Sequence, residues 1–103
     1  MLLASVLMSA TGLAESVSRE IKVLSAMAEM GVAQAQFQLG LRYDLGKGVP
    51  NDFAEAIKWY RKAAEQGDVV AQFNLGIIYA NGKGVPKDLA EALRWYRQAA
   101  EHG

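Results

Sequence analysis

Cysteine is absent from the 103 residues, histidine occurs once and proline twice. Without cysteine there is no disulfide, no thiol nucleophile and no thiolate-bound zinc. A lone imidazole, His102, has no second imidazole or thiol with which to complete a metal or nucleophilic site. An excess of either charge is also missing, because 11 Lys and Arg face 11 Asp and Glu. Neutralising phosphates takes a concentrated basic surface, so nucleic acid is not an expected partner. Long apolar runs are lacking too. The longest uncharged stretch, Met1–Ala14, falls short of the roughly 20 residues that cross a bilayer as a helix. Its apolar Leu2–Met8 followed by small Gly12 and Ala14 has some anatomy of a secretory leader, yet no Lys or Arg precedes Arg19. Two possibilities stand for this segment: a retained helix of a cytoplasmic protein, or a removed leader on a periplasmic or secreted one.

What is present is apolar and periodic. Hydrophobic residues make up 51% of the chain, enough for a packed domain. A shift of 36 residues lays Gly31–Gln66 on Gly67–His102 without a gap, with 22 identical positions. A fixed period of this length signals stacked repeats. The same shift carries Ser16–Met30 onto Asp52–Gln66, matching Ile21 with Ile57 and Ala28 with Ala64. The expected organisation is therefore a degenerate repeat or capping helices over 1–30, a first repeat over 31–66 and a second over 67–103. Continued upstream in phase, Gly12-Leu13 falls opposite the turn residues Gly48-Val49.

Each unit reads as two helices. Ala35, Leu39 and Tyr43 recur every four residues, beside a second stripe of Ala33, Phe37 and Gly40, which predicts helix A over about 32–44. Gly40 and Gly76 lie inside helix A at a cost of about 1 kcal/mol relative to alanine, and close approach of another helix is the expected compensation. Helix B is predicted over about 52–65. Asp52 can cap its start while Glu55 reaches back, and Asp88 with Glu91 repeats the pattern. Pro50 and Pro86 stop helix A from running on, and Gly31, Gly67 and Gly103 follow helix B as C-terminal caps. Trp59 and Tyr60 fall on stripes about 100° apart and so face different neighbours, one within the unit and one in the adjacent unit.

These residues carry a resemblance. Ala35-Gln36-Phe37-Gln38-Leu39-Gly40-Leu41-Arg42-Tyr43, then Gly46-Lys47-Gly48-Val49-Pro50 with Asp52, then Glu55-Ala56 and Trp59-Tyr60 followed by Ala63-Ala64-Glu65, all in a 36-residue period, are similar to Sel-one-like repeat (SLR) proteins, a branch of the tetratricopeptide-like solenoids. The resemblance covers residues 31–103 nearly throughout. It implies an all-α, right-handed superhelical solenoid of antiparallel helix pairs whose inner surface is lined by A helices. It also implies a scaffold or adaptor that binds a protein or peptide partner without catalysis. Some exported, cysteine-rich relatives have been linked to binding or hydrolysing β-lactams. This chain departs from them in having no cysteine.

No residue constellation here demands chemistry. The carboxylate pairs Asp52/Glu55 and Asp88/Glu91 are explained by helix starts, and no serine begins a Ser-x-x-Lys or sits in a Gly-x-Ser-x-Gly turn. The expectation is no catalytic residue, no metal and no cofactor. Binding is expected where the copies differ on helix A, and Gln38, Arg42, Asn74 and Ile78 are the candidate partner-binding residues. A second possibility lies at the C-terminal end, where Leu93, Trp95 and Tyr96 have no following helix A to cover them. Self-association through that end is the alternative.

Overall fold

Two prolines and a set of capping residues divide the chain into five helices. In a computed structural model that describes the backbone of residues 2–103, and side chains from residue 12 onward, they are α1 (Leu2–Glu29), α2 (Ala33–Leu45), α3 (Phe53–Glu65), α4 (Val69–Asn81) and α5 (Leu89–His102). No strand occurs among the described residues. Helices α2 and α3 form one hairpin and α4 and α5 the next, and α1 packs on α2. The result is an all-α repeat solenoid.

The caps are chemical. Gly46 and Gly82 take φ of 68° and 70°, a left-handed conformation open to glycine, and return their N–H groups to the carbonyls of Arg42 and Ile78. The carboxylates of Asp52 and Asp88 accept from the N–H groups of Glu55 and Glu91 at 3.1 and 3.0 Å. The expected return reach of the glutamates is not made. The N–H groups of Asp52 and Asp88 donate instead to the carbonyls of Tyr43 and Tyr79, at 3.0 and 2.9 Å, which ties the start of each B helix to the end of its A helix. Glu55 and Glu91 are free to pair with Lys58 and Arg94. A further cap escaped the sequence pattern: Asp68 accepts from Ala71 N–H at 2.9 Å, where the first repeat has Val32 and no side-chain cap.

Packing repeats with the period. A Cβ on Gly40 would lie 2.7 Å from Cδ1 of Tyr60, and one on Gly76 would lie 2.5 Å from Cδ1 of Tyr96. Each mid-helix glycine thus makes room for the tyrosine of its own hairpin. The tryptophans look the other way along the stack. Trp59 is buried in a cluster with Ala28, Ala35 and Leu39. Trp95 is buried with Ala64, Ala71 and Leu75, the same three positions one repeat later.

Helix α1 joins this pattern in its second half. The turn at Gly48 sits on Val17 and Ile21 as the turn at Gly84 sits on Phe53 and Ile57. Residues from about 16 to 29 therefore serve as the B helix that α2 stacks upon. Upstream, α1 runs as one unbroken helix through Gly12 and Leu13, which align with the turn residues Gly48-Val49 of the first repeat. Ala10 and Ala14 stand where the repeats have Gly46 and Pro50, so nothing ends the helix there. Met1 and the side chains up to residue 11 lie outside the described residues. A 28-residue helix is about 42 Å long, and it contributes to extents of 59 × 26 × 20 Å. The radius of gyration of 16.6 Å exceeds the ~13 Å of a compact domain of this length. No described helix is long and apolar enough to cross a membrane.

Candidate interaction surface

An A helix in this stack has three faces. On α2, Ala35 and Leu39 go into the core, and their counterparts Ala71 and Leu75 do so on α4. A second face carries the buried amides Gln36 and Gln72, which donate to the carbonyls of Ala28 and Ala64, each at 3.0 Å. These side chains latch an A helix to the C-terminal end of the preceding B helix. Gln66 donates to Gln36 Oε1 at 2.8 Å, and His102 Nδ1 lies 3.4 Å from Gln72 Oε1, so the single histidine takes a place in the same latch. Among the described residues no buried side-chain polar atom lacks a partner.

The third face is only partly covered. It holds Gln38, Leu41 and Leu45 on α2 and Asn74, Ile77 and Asn81 on α4, an i, i+3, i+7 stripe at the same positions in both repeats. Three hollows follow it. The first, about 320 Å³, lies between α1 and α2 and is lined by Leu24, Met27, Gln38 and Arg42 among others. The second, about 250 Å³, is formed by Gln38, Leu41, Arg42, Leu45 and Lys47. The third, about 110 Å³, is formed by Asp44, Asn74, Ile77, Ile78, Asn81 and Lys83.

Of the four residues singled out in the sequence, Gln38 and Arg42 share two hollows while Asn74 and Ile78 share the third. Gln38 and Asn74 are half-buried surface amides. Ile78 is a correction: at 7% exposure it belongs to the core cluster of Ala56 and Tyr60 and presents only an edge to the groove. The physical reason is that positions 42 and 78 face the preceding B helix. Arg42 there makes an ion pair with Glu20 of α1, and Glu20 occupies the place of Ala56. One contact between repeats is thus charged in the first copy and apolar in the second. Divergence between copies marked a packing position here, not a free surface. Leu45 and Asn81 were missed, although their spacing from Gln38 and Asn74 at i+7 was available in the sequence.

Asp44 ties the two repeats together beneath this groove. It accepts from the Tyr60 hydroxyl at 3.1 Å and from Lys83 Nζ at 3.0 Å. Burial pushes the Tyr60 phenol well above the ordinary phenol range, and the charge and hydrogen bond of Asp44 push it further, with Asn74 acting weakly the other way. At the start of α5, Arg94 holds the Glu91 carboxyl below its usual range through a direct hydrogen bond, the opposite of what a general acid requires. Among the described residues no group of three or more His, Cys, Asp or Glu could hold a metal ion.

The Sel1 repeat family profile matches residues 33–68 and 69–103. No curated relative matches the chain. Among solved structures, a Sel1 repeat protein from Oxalobacter formigenes is 46% identical with a TM-score of 0.81 over 84% of this chain and 35% of its own. The protein c5321, a protective antigen of uropathogenic Escherichia coli strains that displays an SLR fold, is 46% identical with a TM-score of 0.77 over 81% of this chain and 18% of its own. The Helicobacter pylori cysteine rich protein B is 30% identical with a TM-score of 0.77 over 81% of this chain and 62% of its own. The chain therefore spans less than two thirds of each of these structures. Proteins built on this repeat are in general interaction scaffolds and not catalysts. With both hairpins matched and the helical stack shared, the chain belongs to the Sel1 repeat family.

Proposed function

We propose that this chain is a protein-interaction scaffold whose A-helix groove holds an extended segment of a partner protein. One observation carries the proposal. Gln38, Leu41 and Leu45, with Asn74, Ile77 and Asn81, form a stripe along the groove in which Leu41 rests partly on the core and the Asn74 side chain reaches Tyr60, while Leu45 and Ile77 stay 54% and 38% exposed. Side-chain amides can pair with both the N–H and the C=O of an extended backbone. Leucine and isoleucine between them offer apolar contact for its side chains, a combination suited to peptide recognition. Repetition of the stripe after 36 residues gives a segment two equivalent footholds along the stack. No catalysis is assigned, since both Asp/Glu pairs work as caps and ion-pair partners.

The test is affinity capture from the native host with mass-spectrometric identification, comparing the wild type with a Gln38→Ala/Asn74→Ala double variant. The expected result is a protein recovered with the wild type and depleted at least about tenfold with the variant, the loss of one or two interface anchors. The variant should stay folded, with a small loss of melting temperature from the Asn74 contact to Tyr60. Equal recovery by a folded double variant overturns the assignment of the groove.

A further inference from the structure

The long helix α1 carries a second surface, beside its contact with α2. In the first repeat the places of Val23 and Met27 are held by Trp59 and Ala63, at 6% and 0% exposure, and Trp59 packs against Ala35 and Leu39 of its own A helix. On α1 the same two places are 59% and 41% exposed. The residues in phase with the end of α2, 2–9, run straight on as the first turns of α1 instead of folding back as an A helix. The face is therefore open because α1 does not turn at Gly12. A hollow of about 450 Å³ lies along it, lined by Ser16, Arg19, Glu20, Val23, Leu24 and Met27.

Spacing along α1 decides what kind of helix fits there. Positions 2, 6, 9, 13, 16, 20, 23 and 27 step by four and three in turn, a single seam nearly four heptads long. Leu2, Val6, Leu13, Val23 and Met27 make most of it apolar, and Glu20 is its one charge. From position 13 onward every member of the seam is exposed. An A helix of 13 residues would cover less than half of a 28-residue helix, whereas a second copy of α1 has both the length and the same seam. Charge selects the direction. The charged residues of α1 run from Glu15 to Glu29, and Met1–Ala14 has none. In a parallel pair each charge would meet its own duplicate, while an antiparallel pair lays the charged half on the uncharged half. Positions 27, 23, 20 and 16 of one copy then fall level with 2, 6, 9 and 13 of the other. Glu20, already paired with Arg42, comes level with Ser9, and Glu15, nearest the two-fold axis, lies off the seam. We propose that this chain forms a two-fold dimer through an antiparallel coiled coil between its α1 and that of a second copy, with the two solenoid stacks at opposite ends of the pair.

Analytical ultracentrifugation of the full chain tests this. A dimer is expected at about 50 μM, a concentration that populates any complex of micromolar Kd. Val23→Lys, at an exposed helical position, should weaken it at least about tenfold by placing a charge in the apolar seam. Leu13→Lys, at a position 68% exposed, is a second variant with the same expectation should Val23→Lys fail to fold. Asn74→Ala, in the groove one repeat away, should leave the dimer intact, so the two surfaces succeed or fail separately. The absence of cysteine makes the direction of pairing readable. Under mild oxidation a mixture of Leu13→Cys and Ser16→Cys chains should yield a disulfide-linked heterodimer, while Val23→Cys alone should stay unlinked because its copies lie far apart along the pair. A monomer at about 50 μM overturns the proposal. So does a dimer of wild-type affinity in folded Val23→Lys and Leu13→Lys, and so does linkage of Val23→Cys to itself, which requires parallel helices. Recovery from the native host of a chain lacking Met1–Ala14 also overturns it, since half of the seam would be gone.

Discussion

At the scale of single residues, the stack depends on a ring fitted against a missing methyl group. Tyr60 is fully buried over Gly40, whereas Tyr96 over Gly76 borders an apolar hollow at the α5 end of the stack. Gly40→Ala should therefore destabilise by about 1–3 kcal/mol through overpacking, in spite of the gain in helix propensity. Gly76→Ala should cost less, because the Tyr96 ring has space to move; paired urea denaturations check the order. Tyr60 also gives a pH signature. A phenol that holds its proton more tightly in the native state stabilises it fully below the unfolded value of about 10, and this is lost as pH climbs toward the higher native value. Unfolding free energy should fall above about pH 10, and Tyr60→Phe should flatten that fall, as measured by denaturant titration across the alkaline range. Residue-level legibility was uneven. The glycine in mid-helix announced a close approach because its cost needed a cause. Arg42 and Ile78 looked like free surface because the copies differ there, and only the geometry shows that Glu20 and Ala56 differ with them.

At the scale of elements, boundaries were the most readable feature, since Pro50, Pro86, Asp52, Asp88 and the glycines act through local backbone chemistry. Asp68→Ala should cost about 1 kcal/mol by removing the cap of α4. Gln72→Ala should cost about 1–3 kcal/mol by leaving the Ala64 carbonyl without its latch. Thermal melts of both, against the wild type, check these values. The latch itself was not legible, because a glutamine repeated at 36 and 72 reads equally well as a solvated helix residue until the carbonyl it meets is known. The continuity of α1 through Gly12 follows from what its sequence lacks, since Ala14 stands where the first repeat has the helix-stopping Pro50.

At the scale of the whole molecule, each hairpin is stabilised by its neighbour, and the tryptophans are the shared joints. Trp59→Ala and Trp95→Ala should each cost about 3–5 kcal/mol, as large core truncations do. Both should lower a single cooperative transition, because neither hairpin buries its own two stripes. Groove residues such as Ile78 and Asp44 also serve the scaffold, whereas substitutions at half-buried Gln38 should change stability by less than about 0.5 kcal/mol. The most direct measurement is site-specific photo-crosslinking in the native host, with p-benzoylphenylalanine placed at Gln38 in the groove and, separately, at exposed Lys58 on the outer helix. The account predicts a discrete protein adduct from position 38 and none from position 58. An adduct from position 58 with none from position 38 would contradict it.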